Sequence, residues 1–212
     1  MESLSLTAII VIVTCLISYQ AFNDPASQEK LLHHPYSEKR NKEYYRMITS
    51  GFIHSNFMHL FLNMFVLWQF GGAIEQLYIG IFGDIFGRIA YLLLYLSTLL
   101  VTDYLTYRKY KDDYQYRSLG ASAAVSAMTF ISILINPWGW IVVMVIPMPF
   151  IVMGVLYLGY TYYQSKQNPL GGGIDHLSHL IGSLYGIAFT VALKPEILIH
   201  FLGKLMEGPH AF

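Results

Sequence analysis

The sequence has little charge. Asp, Glu, Lys and Arg make up 12% of its 212 residues, about half of the roughly 25% that is typical of soluble domains. The formal net charge is zero, which leaves no basic field for a nucleic-acid partner. Cys15 is the single cysteine, so an intrachain disulfide is excluded. The chain also lacks CxxC, P-loop and GxGxxG motifs, so no zinc ribbon or nucleotide site is indicated.

Long apolar runs take the place of the missing charge. Hydrophobic residues make up 55% of the chain, and the mean hydropathy is +0.45. Because about 20 apolar residues cross a bilayer as a helix, we predict an all-α, polytopic membrane protein with one domain, residues 1–212. The six predicted spans cover residues 4–19, 57–77, 87–105, 120–135, 140–162 and 175–193. The first is interpreted as a transmembrane helix and not a signal peptide, since no basic residue precedes it.

In three of the predicted spans we single out polar side chains as functional candidates, because such groups are costly in a bilayer. They are His59, Asn63 and Glu75 in the second span, Ser122 and Ser126 in the fourth, and Asp175, His176 and His179 in the sixth. His59 and Asn63 are four residues apart and share a helix face. A hydrogen bond between helices would also explain Asn63. Glu75, near the opposite end of that helix, is interpreted as a structural hydrogen-bonding group.

Small residues predict that the fourth and sixth spans pack closely together. The fourth begins with GASAAVSA at 120–127, and in the sixth small residues recur every four positions from Ser178 to Gly186. Such small-xxx-small patterns let membrane helices approach closely. We therefore expect Ser122 and His179 to come within hydrogen-bond reach, which is the Ser–His condition for nucleophilic catalysis.

These residues supply the groups that amide hydrolysis needs. Ser122 is the candidate nucleophile and His179 the candidate base, because a serine hydroxyl attacks only when a base takes its proton. The tetrahedral oxyanion then needs preorganised hydrogen-bond donors. Asn63 and His59 are the candidates for that oxyanion hole.

At these residues the sequence resembles the rhomboid intramembrane serine proteases. The matching segments are 45–64 (YRMITSGFIHSNFMHLFLNM) for the WR and HxxxN motifs, 71–75 (GGAIE) for GGAxE, 120–123 (GASA) for GxSG, and 179–186 (HLIGSLYG) for HxxGxxxG. The order and spacing agree with the six-helix core of the family, and the resemblance covers essentially the whole chain.

The resemblance implies a six-helix bundle that cleaves transmembrane or membrane-proximal segments of membrane proteins within the lipid bilayer, without a cofactor. It implies that Ser122 and His179 form a dyad with no third acid. Asn63, His59 and the Ser122 backbone N–H would form the oxyanion hole. The remaining motif residues would support the site; they are Arg46, Glu75, Gly120, Gly182 and Gly186.

The resemblance also implies a multi-pass protein of the plasma (inner) membrane, with its active site open to the extracytoplasmic side. That orientation places most loop Lys and Arg residues outside, whereas the positive-inside rule predicts the reverse. The family topology is preferred here because the rule is statistical.

Three positions depart from the family pattern. Tyr45 replaces a Trp, Ala123 replaces the Gly after the nucleophile, and Ser126 stands where some relatives carry an aromatic residue that packs against the histidine. A hydroxyl at position 126 is available to hydrogen-bond the imidazole instead. None of the three changes removes a catalytic group, so an active enzyme is preferred.

Three alternatives stay open. The first is a catalytically inactive rhomboid-like protein that holds membrane clients. The second is a transporter, although the internal repeats common in transporters are absent. The third is a metal site, although the HExxH pattern of helical zinc proteases is absent; its ligands would be His54, His59, His176 and His179.

Local structure can also be anticipated. Pro147 and Pro149 remove two backbone donors from the predicted fifth span, so a kink is expected there. The tail from residue 195 to 212 is expected to form a short interfacial helix or to be disordered. The histidines outside the spans are expected to be solvated; they are His33, His34, His200 and His210.

Overall fold

A computed structural model of the chain describes residues 5–143, 145–167 and 175–209. It is 78% helical, which confirms the predicted all-α class. In the described residues the helices are α1 (Leu6–Asn23), α2 (Pro25–Leu31), α3 (Pro35–Asn41), α4 (Arg46–Thr49), α5 (Phe57–Val66), α6 (Gly72–Phe82), α7 (Asp84–Tyr110), α8 (Ser122–Ile135), α9 (Phe150–Gln167), α10 (His176–Leu193) and α11 (Glu196–Glu207). The π-helical turn Leu67–Gly71 joins α5 to α6. The predicted start of the first span at residue 4, the loop residues 168–173 and the last tail residues 210–212 lie outside the described residues.

Four stretches of helix are long and apolar enough to cross a membrane, in the part of the chain that the structure describes. They are Leu6–Asn23, Phe57–Phe82, Asp84–Tyr110 and His176–Leu193. The helix α8 is apolar but shorter, with 14 residues, and a helix of that length spans only about 21 Å. The polytopic membrane fold is therefore confirmed, whereas the predicted count of six spans is not.

The central helix of the protein is α8, and most of its surface is covered. Ten of its 14 residues are buried, and its side chains at Met128 and Ile131 are fully buried together with Tyr91 and Tyr95 of α7. Apolar side chains of α1, α5, α6 and α7 join the same core. A helix that is apolar on every side fits such a central position. The first residue of α8, Ser122, is thereby held by a packed core.

The predicted fifth span is wrong in its first half. Residues 140–149 form an antiparallel hairpin of β1 (Trp140–Val143) and β2 (Ile146–Pro149), and α9 begins only at Phe150. Proline cannot donate in a helix interior but is tolerated in an edge strand, and the neighbouring Val and Ile residues favour strands. Pro147 and Pro149 therefore do not kink a helix; they lie in the strand that precedes one.

The C-terminal tail forms the helix α11, in agreement with one of its two predicted states. It packs near the end of α8 through polar contacts to backbone carbonyls. The Trp138 Nε1 donates to the Lys204 carbonyl at 3.0 Å, and His200 Nε2 is 2.9 Å from the Ile135 carbonyl. His200 is thus exposed, as predicted, but also makes a hydrogen bond. His210 lies outside the described residues.

Candidate active site

Ser122 is the first residue of α8 and follows a turn that only glycine suits. Gly120 has φ of 119°, a left-handed conformation that side chains rarely adopt. A Cβ at this position would also lie 2.8 Å from His59 Cε1. The Gly120 N–H donates to the Ser50 carbonyl at 2.9 Å, which fixes the turn. Gly120, two residues before the candidate nucleophile, therefore allows both the backbone conformation and the close approach of the His59 ring.

His54 holds the same turn from the other side, a role that the sequence analysis missed. Its imidazole is fully buried, with Nδ1 3.0 Å from Ser18 Oγ and Nε2 accepting the Ala121 N–H at 3.4 Å. Burial, assisted by the nearby His59, lowers the pKa of His54 to about 3. His54 is therefore neutral near pH 7 and acts as an acceptor for the turn. In the sequence, His54 lies in a short segment before α5, close to Gly51 and Ser55. This location gives only a weak indication that its side chain supports the turn.

The first amides of α8 are free of side-chain capping in the described structure. The N-cap residue is Ala121, which has no side chain able to accept a hydrogen bond. The first four N–H groups of a helix have no partner within the helix, and they carry the positive end of its dipole. The N–H of Ser122 is therefore available to an anionic group next to the Ser122 hydroxyl, whereas the preceding Ala121 N–H is already bonded to His54.

His179 lies on α10, which packs directly on α8 through glycine. A Cβ on Gly182 would overlap the Ala123 carbonyl, and one on Gly186 would lie 2.8 Å from Ala127 Cα. This is the close packing that the small residues predicted. His179 and Ser122 line one cavity, yet no hydrogen bond joins them among the described contacts, so the expected direct bond is not made. Hydrogen bonds between catalytic groups are often long without substrate and tighten when it binds.

The Nδ1 atom of His179 has a partner that the sequence did not reveal. It lies 3.0 Å from the hydroxyl of Tyr157 on α9, and that hydroxyl lies 2.9 Å from Ser126 Oγ. The Tyr157 and His179 rings are nearly parallel, at 8°. Ser126 therefore reaches the imidazole through Tyr157, whereas the sequence analysis considered only a direct hydrogen bond. No helical periodicity marks Tyr157, because the contact depends on how α9 packs against α8 and α10.

The two candidate oxyanion donors line the cavity on α5. His59 has Nδ1 3.1 Å from Ser55 Oγ, and its Nε2 edge faces Gly120. One amide hydrogen of Asn63 donates to the His59 carbonyl at 2.9 Å. The second hydrogen of that amide remains for the cavity, to which Asn63 contributes. Asn63 thus combines a contact within its own helix with a position beside Ser122.

The cavity has a volume of about 860 Å³, within the range of small-molecule and peptide side-chain sites. Its polar lining includes Ser122, His179, His59 and Asn63, together with other residues such as Ser126, Tyr157, Asp175 and Arg117. Its apolar wall consists of Leu62, Val66, Phe70, Val125, Phe130 and Met153. The hairpin and α9 border the cavity through Ile141 and Tyr157. A mostly apolar lining with several polar groups suits a peptide segment that has apolar side chains and a polar backbone.

Asp175 is the N-cap of α10 and does not contact the His179 side chain. Its carboxylate accepts the Ser178 N–H at 3.1 Å and hydroxyls from Ser178 and Tyr116. These three donors fix the start of the helix that carries His179. Among the described residues, no carboxylate bonds to His179 Nδ1 in the way a third catalytic acid would. The Tyr157 hydroxyl lies at that atom instead.

Glu75 is a structural residue, fully buried at the start of α6. Its carboxylate accepts the Leu6 N–H at 2.8 Å, the Thr7 N–H at 2.9 Å and the Thr7 hydroxyl at 2.8 Å. It also pairs with Arg88 of α7 at 2.9 Å. Because Leu6 and Thr7 begin α1, Glu75 caps that helix and ties it to α6 and α7.

Arg46 supports the loop that precedes α5. Its guanidinium is largely buried and donates to the Leu32 carbonyl at 3.2 Å and to Glu43 at 2.8 Å. It also donates to the Glu29 carbonyl. The Tyr45 ring lies beside the guanidinium, with Arg46 Cζ 5.9 Å from its centroid. The arginine of the predicted WR motif thus links the C-terminal end of α2 to the start of α4.

The expectation that His33 and His34 are solvated is wrong, since both are buried. His33 Nδ1 lies 2.6 Å from Glu38, and its Nε2 lies 2.9 Å from Thr106 of α7. Although burial opposes protonation, the Asp103 and Glu38 carboxylates raise the pKa of His33. This contact seats the loop between α1 and α4 on α7. The sequence did not reveal this burial, because His33, Glu38 and Thr106 are all polar residues. They are buried together because His33 bonds to the other two.

The histidines of the alternative metal site do not form one set. His54 and His59 are neighbours, with ring centroids 4.9 Å apart, and His176 contacts His179 at 6.3 Å. His54 is already bonded to Ser18 and Ala121 as described above. In the described part of the chain, no group of three or more His, Cys, Asp or Glu residues is placed to hold a metal ion.

Comparison with known proteins agrees with the motifs. The Rhomboid domain matches residues 41–196. The presenilin-associated rhomboid-like protein, mitochondrial, of Homo sapiens is 27% identical over 146 residues, 68% of this chain. Its Bos taurus counterpart is 28% identical over 143 residues, 66% of this chain. The match spans 36% of the length of each of these relatives.

The relatives also correct the expected location. The sequence analysis placed the chain in the plasma (inner) membrane, whereas the curated relatives that match it are named as mitochondrial proteins. That expectation is wrong. The multi-pass membrane architecture is unaffected, because it rests on the helices of the chain itself.

Proposed function

The chain belongs to the rhomboid family, and from this premise we propose that it is an intramembrane serine endopeptidase that uses a Ser122–His179 dyad. The observation that carries the proposal is the position of Ser122. Its hydroxyl stands at the uncapped N-terminus of α8, in the same cavity as His179 and both candidate oxyanion donors. Nucleophile, base and anion-stabilising groups thus meet at one place.

The reaction proceeds through an acyl-enzyme. Ser122 Oγ attacks the carbonyl carbon of the scissile peptide while its proton passes to His179 Nε2. The tetrahedral intermediate collapses when His179 returns the proton to the leaving amine nitrogen and the C–N bond breaks. A water molecule, deprotonated by His179, then attacks the ester carbon, and Ser122 recovers its proton. None of these steps needs a cofactor.

The oxyanion is stabilised by donors from two helices. The free N–H of Ser122 points along the positive end of the α8 dipole. The Ser55 hydroxyl accepts from Asn56 Nδ2 at 3.2 Å and is placed to donate to His59 Nδ1. His59 then carries its own proton on Nε2, at the edge that faces Gly120. The second amide hydrogen of Asn63 adds a third donor.

The substrates we propose are transmembrane or membrane-proximal segments of membrane proteins. The cavity lining is mostly apolar, and its polar residues include the two residues of the proposed dyad. An apolar segment gains by leaving lipid for such a wall only if its exposed backbone groups find partners there. The polar residues of the cavity offer these partners at the point of cleavage.

The second candidate function is that of an inactive rhomboid-like protein that holds membrane clients. One observation favours it, namely that no hydrogen bond joins Ser122 to His179 in the described structure. Ala123, in place of the family glycine, adds a methyl group next to the nucleophile. The client would use the same apolar cavity, so binding alone does not separate the two functions.

Covalent labelling separates them. Purified protein in detergent should react with a fluorophosphonate probe at Ser122, and Ser122→Ala should abolish the labelling. Ser132→Ala is the matched control, because Ser132 lies on the same helix and its hydroxyl donates only to the Met128 carbonyl. Cleavage of a transmembrane reporter should follow the same pattern, with His179→Ala also inactive. Absence of both labelling and cleavage in the folded wild type would favour the client-binding function.

A further inference from the structure

Tyr157 makes the contact through which a third helix reaches the dyad. Ser122 lies on α8 and His179 on α10, whereas Tyr157 lies on α9. In α9 only Gly154 and Thr161 are buried, so this helix has few other fixed points. The Tyr157 hydroxyl lies between His179 Nδ1 at 3.0 Å and Ser126 Oγ at 2.9 Å. Its ring packs against Phe130 of α8, with centroids 5.7 Å apart.

The proton positions along the hydrogen-bonded series His179, Tyr157 and Ser126 follow from the proposed role of His179 as the base. To take the Ser122 proton, His179 must present an unprotonated Nε2, so its ring proton must be on Nδ1. The Nδ1–H then donates to Tyr157. A phenol keeps its proton near neutral pH and donates it onward to the Ser126 oxygen. The Nδ1–H of His179 and the hydroxyl proton of Tyr157 then each have an acceptor.

The opposite direction would disable the base. If Tyr157 donated to Nδ1, the imidazole would carry its proton on Nε2, facing the serine hydroxyl it is meant to deprotonate. The two directions therefore make opposite forecasts for removal of the Tyr157 hydroxyl. One forecasts a loss of turnover and the other a gain.

We propose that Tyr157 is a positioning residue for His179: it accepts the Nδ1–H, fixes the tautomer and ring orientation of the base, and is itself anchored by Ser126. The inference rests on the proposed proteolytic function and adds to it a third member of the site. In Ser-His-Asp triads a carboxylate holds Nδ1. Here the partner is neutral, so it orients the imidazole but contributes no charge to the imidazolium.

A carboxylate is the usual partner of such a base, but among the described contacts the Asp175 carboxylate makes no hydrogen bond to the His179 ring. This carboxylate accepts from the Ser178 N–H, the Ser178 hydroxyl and the Tyr116 hydroxyl. Nδ1 of His179 is already bonded to Tyr157. The base is therefore oriented by a residue of the neighbouring helix, and a shift of α9 changes the geometry of the dyad.

The test compares Tyr157→Phe with a matched control in detergent-solubilised protein. Phe keeps the ring and its packing but removes the hydroxyl, so kcat should fall about fivefold to tenfold, as expected for one lost hydrogen bond, with KM unchanged. Tyr163→Phe is the control, since Tyr163 is on the same helix and 60% exposed. Ser126→Ala removes only the anchor of Tyr157 and should cause a smaller loss.

A spectroscopic measurement reads the tautomer directly. In ¹⁵N-histidine NMR spectra, with the His179 signals identified by their loss in His179→Ala, the wild type should be protonated at Nδ1. Tyr157→Phe should give a mixture of both tautomers, whereas Tyr163→Phe should not. If Tyr157→Phe does not fold, the same spectra of Ser126→Ala decide the matter, because a fixed Nδ1–H tautomer there would contradict the anchoring.

The outcomes distinguish this inference from the proposed function. If the wild type cleaves substrate and Tyr157→Phe is as fast as Tyr163→Phe, or faster, the positioning role is overturned. The proposed protease function is then unaffected. A folded wild type without turnover overturns the protease, and the tautomer spectra still show whether Tyr157 holds Nδ1. Reduced kcat with a mixed tautomer supports both.

Discussion

Gly182 of α10 lies against the main chain of Ala123 on α8, so closely that a Cβ on the glycine would overlap the Ala123 carbonyl oxygen. One turn later, Gly186 approaches Ala127 in the same way. Membrane helices gain their packing from such small-residue contacts. Because Ala123 follows Ser122 and Gly182 lies three residues after His179, the contact helps to fix the distance between Ser122 and His179, the proposed nucleophile and base.

Gly182→Ala should therefore damage stability and catalysis together. The obstacle is backbone, which has no rotamer to move to, so the helices must separate at a cost of about 1–3 kcal/mol. We expect a lower unfolding midpoint and a drop in turnover of at least about tenfold, since small misplacements of catalytic groups are expensive. Gly203→Ala on α11 is the control, because a Cβ there meets no atom within 4 Å. A Gly182→Ala protein as active and stable as Gly203→Ala would contradict the packing.

Glu75→Gln should destabilise the fold without touching the cavity. The carboxylate accepts three hydrogen bonds from Leu6 and Thr7 and pairs with Arg88, whereas a carboxamide presents a donor to one of these donors. Loss of hydrogen bonds to a buried charge costs roughly 2–3 kcal/mol. Unfolding by denaturing detergent in mixed micelles measures it. Glu29→Gln removes an exposed pair with Arg117 at 3.4 Å and should change stability by less than about 1 kcal/mol.

The buried His54 predicts a pH dependence of stability. Its pKa is about 3 in the folded protein and about 6.5 when unfolded, so between these values only the unfolded state binds the proton. Stability is therefore full above pH 6.5 and falls as the pH falls below it. From pH 7.5 to 5.5 this one group should cost about 1.4 kcal/mol.

The measurement compares the wild type with His54→Gln, whose side-chain oxygen keeps an acceptor near the Ala121 N–H. All other titrating groups are shared, so the difference between the two pH profiles isolates His54. The variant should lose about 1.4 kcal/mol less than the wild type over this interval. Parallel profiles would mean that His54 does not remain neutral in the folded protein.

The candidate site residues were predictable because a polar side chain in a lipid-facing span usually has a specific role. Ser122, His179, His59 and Asn63 stood out against apolar spans, and the structure places all four around one cavity. The close packing of α8 and α10, which carry the proposed dyad, was predictable from small residues at four-residue spacing. Both patterns can be read from residues that are close together in the sequence, so they do not depend on contacts made elsewhere in the fold.

Other features depend on contacts that no local pattern encodes. Residues 140–149 are as apolar as a span, yet two prolines and several β-branched residues turn them into a hairpin. His33 is buried because Glu38 and Thr106 supply its partners, although each of the three looks solvated alone. Tyr157 is one of many tyrosines, and only the packing of α9 selects it as the partner of His179.

Asn63→Ala should lower turnover far more than stability. Its amide donates to the His59 carbonyl within the same helix. Loss of this contact should change stability little, because a hydrogen bond in a membrane protein averages only about 0.6 kcal/mol. Loss of one oxyanion donor instead costs about 100- to 1,000-fold in turnover. We expect kcat to fall at least about tenfold with KM little changed, and His59→Ala to fall less, because the Ser122 N–H and Asn63 remain.

Asn23→Ala supplies the matched control for this prediction. Asn23 makes the same type of contact, from its amide to the Tyr19 carbonyl four residues earlier at 2.8 Å, but at an exposed position of α1 far along the chain from the cavity residues. Both variants remove one such contact, so a difference in turnover between them belongs to the cavity. If Asn63→Ala melts much earlier than Asn23→Ala yet keeps near-normal turnover per folded molecule, Asn63 is structural. The oxyanion would then depend on His59 and the free amides of α8, and His59→Ala would become the more damaging change.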